Sequence, residues 1–581
     1  MKLRSLALGA SLALFSAAGC DAKIATVLEN PSTPGEGADG GLQDEDRPLV
    51  PASKVDLLLV VDNSAGMEDK SSRLATSIGT LLRNVATTGD VHVGVISSSL
   101  GNFGGDVCPT GNPETNGHAY LRTKGPNGAA VPGAESGVLA YTGGDVDTFV
   151  ASTEALIRGV GGNGCGLEAQ LESMYRFLIQ PDPWTDVRLD GSARADLGAD
   201  VDVQVLLQRK AFLRPDSALV IVMITDEDDS AVDPLSVGGQ GWAFMAKSFP
   251  GSQVYRAGQG LGTTAPRGTS ICSTDPGNPS CTSCGYQSLC DPTDARCQAI
   301  RTDRNCTTSP VPGRSGPGYD GYYGPSDDDL NVRFHRMKER YGVDPQYPLS
   351  RYVDGLTRSV VPSRVFEHRK EVPGDTSSPS TFTKTDEYVG TPSCTNPIFA
   401  ATLPSAVGDE LCRVPRGPRS RELVLFAVLG GLPTALATDT PDWTKILGRD
   451  PGKFDFDGID PHMIQSIEPR PGLPGPTSSA TDREWDTEKS DLQFACTFAL
   501  AAPRTCEAAD PSCACPPEST TSSPLCSAPG QQIRAKAYPT PRPLRVVRDL
   551  GARGIVGSVC ADSYDETMTL IAQRLAPRLA H

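Results

Sequence analysis

Two aspartates, each closing an apolar run, are the residues best placed to do chemistry in this chain. Residues 55–62 read VDLLLVVD and lead into Asn63 and Ser64, while residues 218–225 read ALVIVMIT and lead into Asp226-Glu227-Asp228-Asp229. A tight loop, Gly162-Asn163-Gly164, could lie beside them. Carboxylates, a hydroxyl and an amide oxygen make a hard-oxygen donor set, which suits Mg²⁺ or Ca²⁺ rather than a thiolate metal. Asp62, Ser64, Asn163 and Asp226 are therefore the candidate metal ligands. The same residues also have plain structural uses. Asp62 and Asp226 could cap helices or bind loop amides, and Ser64 is a good N-cap.

These groups can meet only if the apolar runs are neighbouring strands. The run at 55–62 has the continuous apolar character of a central strand buried on both faces. After a turn cluster, Leu74, Ile78, Leu81, Leu82 and Val85 recur at helical spacing, and 91–96 is a second strand. Strand, helix and strand at this distance predict a βαβ unit and a parallel sheet, whose binding sites lie outside the carboxyl ends of the strands. Helices are expected at about 145–158 and 167–180, and a third buried strand at 218–225. The rhythm then breaks. It resumes with a strand at 423–429 and ends with a helix at 543–550, a strand at 555–559 and a helix at 564–575. Shorter helices are expected at 331–341 and 350–356 within the first irregular stretch. The predicted fold is a doubly wound, mostly parallel α/β sheet with helices on both faces and large irregular, disulfide-rich insertions.

The N-terminus sets the compartment. Met1-Lys2-Leu3-Arg4, an apolar run from 6 to 15, and Ala17-Ala18-Gly19-Cys20 form an export signal too short to span a bilayer. The segment resembles a bacterial lipoprotein signal, which implies acylation of Cys20 and a chain anchored by lipid in the cell envelope, periplasmic or surface-exposed. Of 17 cysteines, Cys20 is assigned to the lipid, and the even remainder fits disulfides in an oxidising compartment. Cys281-Thr282-Ser283-Cys284 has zinc-like spacing, but after export it reads as disulfide chemistry. Cys513 and Cys515 read as members of two separate bridges, and Cys108 and Cys165, in loops that could meet near the acidic edge, as a pair.

The stretch from 55 to 66 resembles the opening of a von Willebrand factor A domain, whose first strand ends in Asp-x-Ser-x-Ser at a metal-ion-dependent adhesion site. Asp62 and Ser64 match, Gly66 stands at the second serine, Asn163 stands where the family places a threonine, and Thr225-Asp226 matches the third element. The resemblance implies a degenerate site of this kind, binding a partner through a divalent cation. More narrowly, the arrangement is similar to envelope lipoproteins of myxobacterial type. The expected organisation is a signal at 1–20, a flexible acidic linker at 21–52, and A-like segments at 53–230, 421–433 and 541–581. Cys-rich insertions occupy 231–420 and 434–540.

The formal charge of −17 argues against nucleic acid as a partner. None of the six histidines lies in a His-Glu-x-x-His pattern, and no Gly-x-Ser-x-Gly elbow or phosphate-cradling loop is present. No nucleophile stands out, so the chain reads as a binding or adhesion protein for a protein or surface ligand and not as an enzyme. A metal-free, disulfide-stiffened scaffold is the alternative, and a hydrolase housed in 231–420 is a more distant one.

Overall fold

The computed structural model describes residues 48–101, 107–108, 111–191, 193–246, 252–254, 264–288, 293, 295–325, 327–368, 388–508, 510–518 and 523–580. The signal, Cys20 and nearly all of the linker lie outside them. In chain order the first half contains β1 (Val55–Val61), α1 (Glu68–Val85), β2 (Val91–Ser97), β3 (Val138–Tyr141), α2 (Val146–Arg158), α3 (Gln170–Leu178), α4 (Val203–Phe212) and β4 (Ala218–Ile224). The second half adds α5 (Leu349–Thr357), β5 (Val424–Gly430), β6 (Cys496–Thr505), β7 (Cys526–Ala528), β8 (Gln531–Ala537), α6 (Pro541–Asp549), β9 (Gly554–Ser558) and α7 (Asp565–Leu575).

Six of these strands form one sheet in the order β9-β5-β4-β1-β2-β3, parallel except for the edge strand β3, which pairs antiparallel with β2. β1 and β4 are buried at every position, which is why both read as unbroken apolar runs. Alternate side chains serve opposite faces. Leu58 and Val60 pack with α3, α4, α5 and α6, whereas Leu57, Leu59 and Val61 pack with α1, α2 and α7. The result is a Rossmann-like core with helices on both faces. Strand order reverses at the β1–β4 pair, where open α/β sheets form their ligand crevice.

The first long insertion is built into this core. Tyr347, Tyr352 and Leu356 of α5 and its approach, together with Ile398 and Phe399, lie in the same apolar cluster as Leu58 and Val60. Arg351 joins them as a fully buried cation. It bonds Glu172 of α3, donates to Glu367 at 2.9 Å and to Gln180 at 3.0 Å, and lies 3.6 Å and 4.0 Å from the ring centres of Tyr175 and Tyr347. The expected continuous helix at 331–341 is instead two short turns, Leu330–Arg333 and Met337–Tyr341, separated at Arg336, whose φ is 45°. A left-handed residue cannot continue a right-handed helix.

Seven disulfides stiffen the described chain: Cys108–Cys165, Cys272–Cys281, Cys284–Cys306, Cys394–Cys412, Cys496–Cys560, Cys506–Cys513 and Cys515–Cys526. Cys281 and Cys284 thus belong to different bridges and form no zinc knuckle. This number of bridges fits an oxidising, extracytoplasmic setting. No helix of the described residues is long and apolar enough to cross a membrane. The folded body starts at Ala52, inside the expected linker. Ala52 N donates to Arg578 O at 2.9 Å, and Ala580 N donates to Ala52 O at 2.9 Å, so the two ends of the body pair with each other.

Arg351 generates a direct test. Arg351→Met leaves Glu172 and Glu367 buried without their counter-charge, and removing one partner of such a pair costs about 3–5 kcal/mol. Urea unfolding of the variant should show that loss, and the added substitution Glu172→Gln should recover part of it.

Candidate functional site

The parallel register places Val61 opposite Ile224, so Asp62 and Asp226 leave the sheet side by side at its carboxyl edge. Asp62 is completely buried and fully engaged. Its Oδ1 accepts Ser64 N at 2.9 Å and Ser98 Oγ at 3.1 Å, and its Oδ2 accepts Thr225 Oγ1 at 2.7 Å. Thr225 Oγ1 in turn accepts Gln170 Nε2 at 2.6 Å, which ties the start of α3 to both strands.

Asp226 has a different partner, which the sequence does not advertise. Lys70, in the first turn of α1, donates from Nζ to Asp226 Oδ2 at 2.6 Å and to Gly66 O at 2.9 Å, with the lysine only 1% exposed. A cation at a helix N-terminus opposes the helix dipole, and the carboxylate opposite offsets that cost. Gly66, at the position of the missing second serine, has φ +99°, a conformation side-chain-bearing residues avoid, and turns its carbonyl to the ammonium. Here a lysine supplies positive charge to one of the site's carboxylates from within the chain.

The third loop is held close. Gly164 N donates to Asn63 O at 2.6 Å, and a Cβ on Gly164 would come within 2.4 Å of the Asn63 side chain, so only glycine fits. Cys165 N donates to Ser99 Oγ at 2.8 Å, Ser99 Oγ donates to Asn63 Oδ1 at 2.8 Å, and the Cys108–Cys165 bridge pins this loop from outside. Asn163, the expected ligand from this loop, is exposed where the loop's backbone tightens onto Asn63, unlike the buried Asp62, Ser64 and Asp226. The side chain aimed inward is Glu168. It is completely buried, neither carboxylate oxygen has a hydrogen-bond partner, and it feels the charges of Glu227, Asp62 and Asp226. Its position at the start of an amphipathic helix gave no sign of this. Ser64 Oγ and Asp226 Oδ1 are likewise buried without a partner.

The acidic run after β4 divides its labour. Asp228 accepts Arg542 N at 2.9 Å and Gln465 Nε2 at 3.2 Å, and Asp229 accepts Leu171 N at 3.1 Å and Arg542 Nε at 3.4 Å. These two carboxylates hold the N-terminal turns of α6 and α3. Asp62, Ser64 and Asp226 are therefore the part of the expected set that converges, with Glu168 and Lys70 added.

The edge is covered. The three-stranded sheet of β6, β8 and β7 folds over it. Tyr538 N donates to Asp226 O at 2.8 Å, and the Phe498 ring lies 5.7 Å from Lys70 Nζ and 3.9 Å from the Arg73 guanidinium. The Cys496–Cys560 bridge fastens this cover to the segment after β9.

Burial raises the carboxylate pKa values. Asp62 is pushed up to about 6, first by desolvation and then by the charge of Asp226, while desolvation carries Asp228 to about 7 and Asp229 to about 6. Glu168 is raised by desolvation and then by the charge of Glu227, and Glu227 is pushed up to about 8 by desolvation and then by the charges of Asp226 and Asp62. Among the described residues, no group of three or more His, Cys, Asp or Glu side chains stands in a ready-made metal cage. The donors with spare oxygens, Ser64, Asp226 and Glu168, nonetheless have the chemistry that Mg²⁺ or Ca²⁺ requires.

Two outcomes follow. The folded state holds these protons more tightly than the unfolded chain, so the stabilisation is fully present below the ordinary carboxylate range, about pH 4. It is lost as pH rises through the folded values of about 6 to 7. In chelator, melting temperature should therefore be higher at pH 5 than at pH 8. Separately, Lys70→Met should cost about 3–5 kcal/mol in urea unfolding by stranding Asp226, and Lys70→Met combined with Asp226→Asn should cost less than Lys70→Met alone.

No family model matches the chain, and no curated protein matches it. Among solved structures it is similar to the pilus adhesin RrgA from Streptococcus pneumoniae, with 13% identity, a TM-score of 0.18, and coverage of 50% of this chain and 36% of that one. A likeness that loose carries no argument about the site.

Proposed function

We propose that this chain is a binding protein of the bacterial cell envelope, tethered through a lipid on Cys20. Its A-type sheet edge takes a divalent cation, Ca²⁺ or Mg²⁺, as an internal brace. The observation that carries this is the set of buried oxygens without partners: both of Glu168, Oδ1 of Asp226 and Oγ of Ser64. Carboxylates in a dry site need positive charge or a proton, and Lys70 supplies one charge against Asp62, Glu168 and Asp226 together. A cation there would be held by Ser64, Asp226 and Glu168, with Asp62 fixing the loop behind them, and would neutralise the remaining charge. Because the edge is covered, a partner does not complete the coordination. The surfaces of the insertions, which leave the sheet from the same end, make the contact with a protein or surface ligand. The absence of a nucleophile motif and the net charge of −17 favour binding over catalysis and disfavour nucleic acid.

A second reading has its own support. The Lys70–Asp226 pair is itself a cation in the site, so the protein could be a metal-free scaffold. Melting curves separate the two. Metal-stripped protein should gain a few degrees in saturating Ca²⁺ or Mg²⁺, and Glu168→Gln and Asp62→Ala should abolish the gain. Superimposable wild-type curves with metal and with chelator would end the cation reading and leave the scaffold.

A further inference from the structure

A cleft of about 660 Å³ lies between the two insertions and α6, with Asp228, two residues beyond Asp226, on its wall. Its volume is in the range of pockets that enclose small organic molecules. The walls are largely apolar: Met337, Leu349 and Val353 from the first insertion face Ile446, Phe456 and Met463 from the second.

Several of the charges along it are met by named partners. Arg542 serves Asp228 and Asp229, Asp354 pairs with Arg358 at 2.9 Å, and Asp549 pairs with Arg548 at 2.8 Å. Arg545, on α6, lines the same cleft and has no ion pair or hydrogen bond among the described residues. Its Nε is buried without a hydrogen bond, and its Nη2 would stand 3.7 Å from a Cβ on Gly452, on the opposite wall. Desolvation, then the charges of Arg542 and Arg548, lower its pKa more than Asp549 and Asp344 raise it, so an arriving anion would still stabilise the charge. A guanidinium offers a planar fork of donors that fits carboxylate or phosphate.

We propose that this cleft binds a small amphipathic anion, a molecule with an extended apolar body and one anionic head, with the head on Arg545 and the body between the two insertions. The site is separate from the cation reading and stands or falls without it. Calorimetry on the full folded chain tests it, using dodecanoate and dodecyl phosphate below their micelle concentrations as the two head-group probes and dodecyltrimethylammonium as the control. Saturable binding of at least one anion, with the cationic control failing to bind, is expected. Arg545→Gln should weaken anion binding at least tenfold at unchanged melting temperature, and Val353→Trp, which fills the cleft, should weaken it as well. Binding of neither anion to the wild type, or anion binding that Arg545→Gln leaves unchanged, would overturn the proposal.

Discussion

A carboxylate removed from water must be met by positive charge, a proton or strong donors, and several separate places in this chain satisfy that demand. At the carboxyl edge of the sheet, Asp226 is met by Lys70. At the amino edge, Asp56 is buried within β1 and is bonded by Arg214 Nε at 2.7 Å, with Arg419 at 3.5 Å. Between α3 and the first insertion, Glu172 and Glu367 share Arg351. Each pairing joins stretches distant in sequence. Apolar contacts alone tolerate many arrangements, whereas a stranded buried charge does not, so these pairs discriminate against misassembled packings of the same segments.

The same constraint explains how the insertions relate to the sheet. Each supplies something the sheet lacks. The first brings Arg351 to a buried glutamate, and its tyrosines complete the apolar cluster beneath. The second lays β6 and β8 over the edge, so that Phe498 covers Lys70 and Tyr538 engages Asp226. Exclusion of water from the site is thus the work of residues outside the alternating α/β pattern, and it strengthens the Lys70–Asp226 attraction it encloses.

Much of the architecture was legible in the sequence because fully buried parallel strands leave an unmistakable trace. The runs ending at Asp62 and Asp226 located the edge, and the helical spacing from Leu74 to Val85 located α1. Four features left no comparable trace. Lys70 sits in the first turn of an amphipathic helix, where a lysine ordinarily faces solvent, and its partner lies 156 residues away. Glu168 is indistinguishable by composition from any acid near the start of a helix. Asn163 was chosen by its place in a motif, while its outward turn depends on how tightly Gly164 seats against Asn63. The cover formed by β6, β7 and β8 was hidden among cysteines and prolines because its burial pattern is mixed, with no strict alternation to betray a strand.

The pairing of Ala52 with Arg578 and Ala580 has a consequence for biogenesis. β9, on the far side of the sheet, is contributed by the last thirty or so residues, and Cys496 finds its bridging partner only at Cys560. Contacts of such long sequence separation form slowly and only when both ends are present. A polypeptide threaded through a secretion pore from its N-terminus would arrive with its founding strand exposed and its closing strand still on the other side. Until those last residues arrive, unpaired strand edges and apolar surface stay exposed, the condition in which aggregation competes with folding.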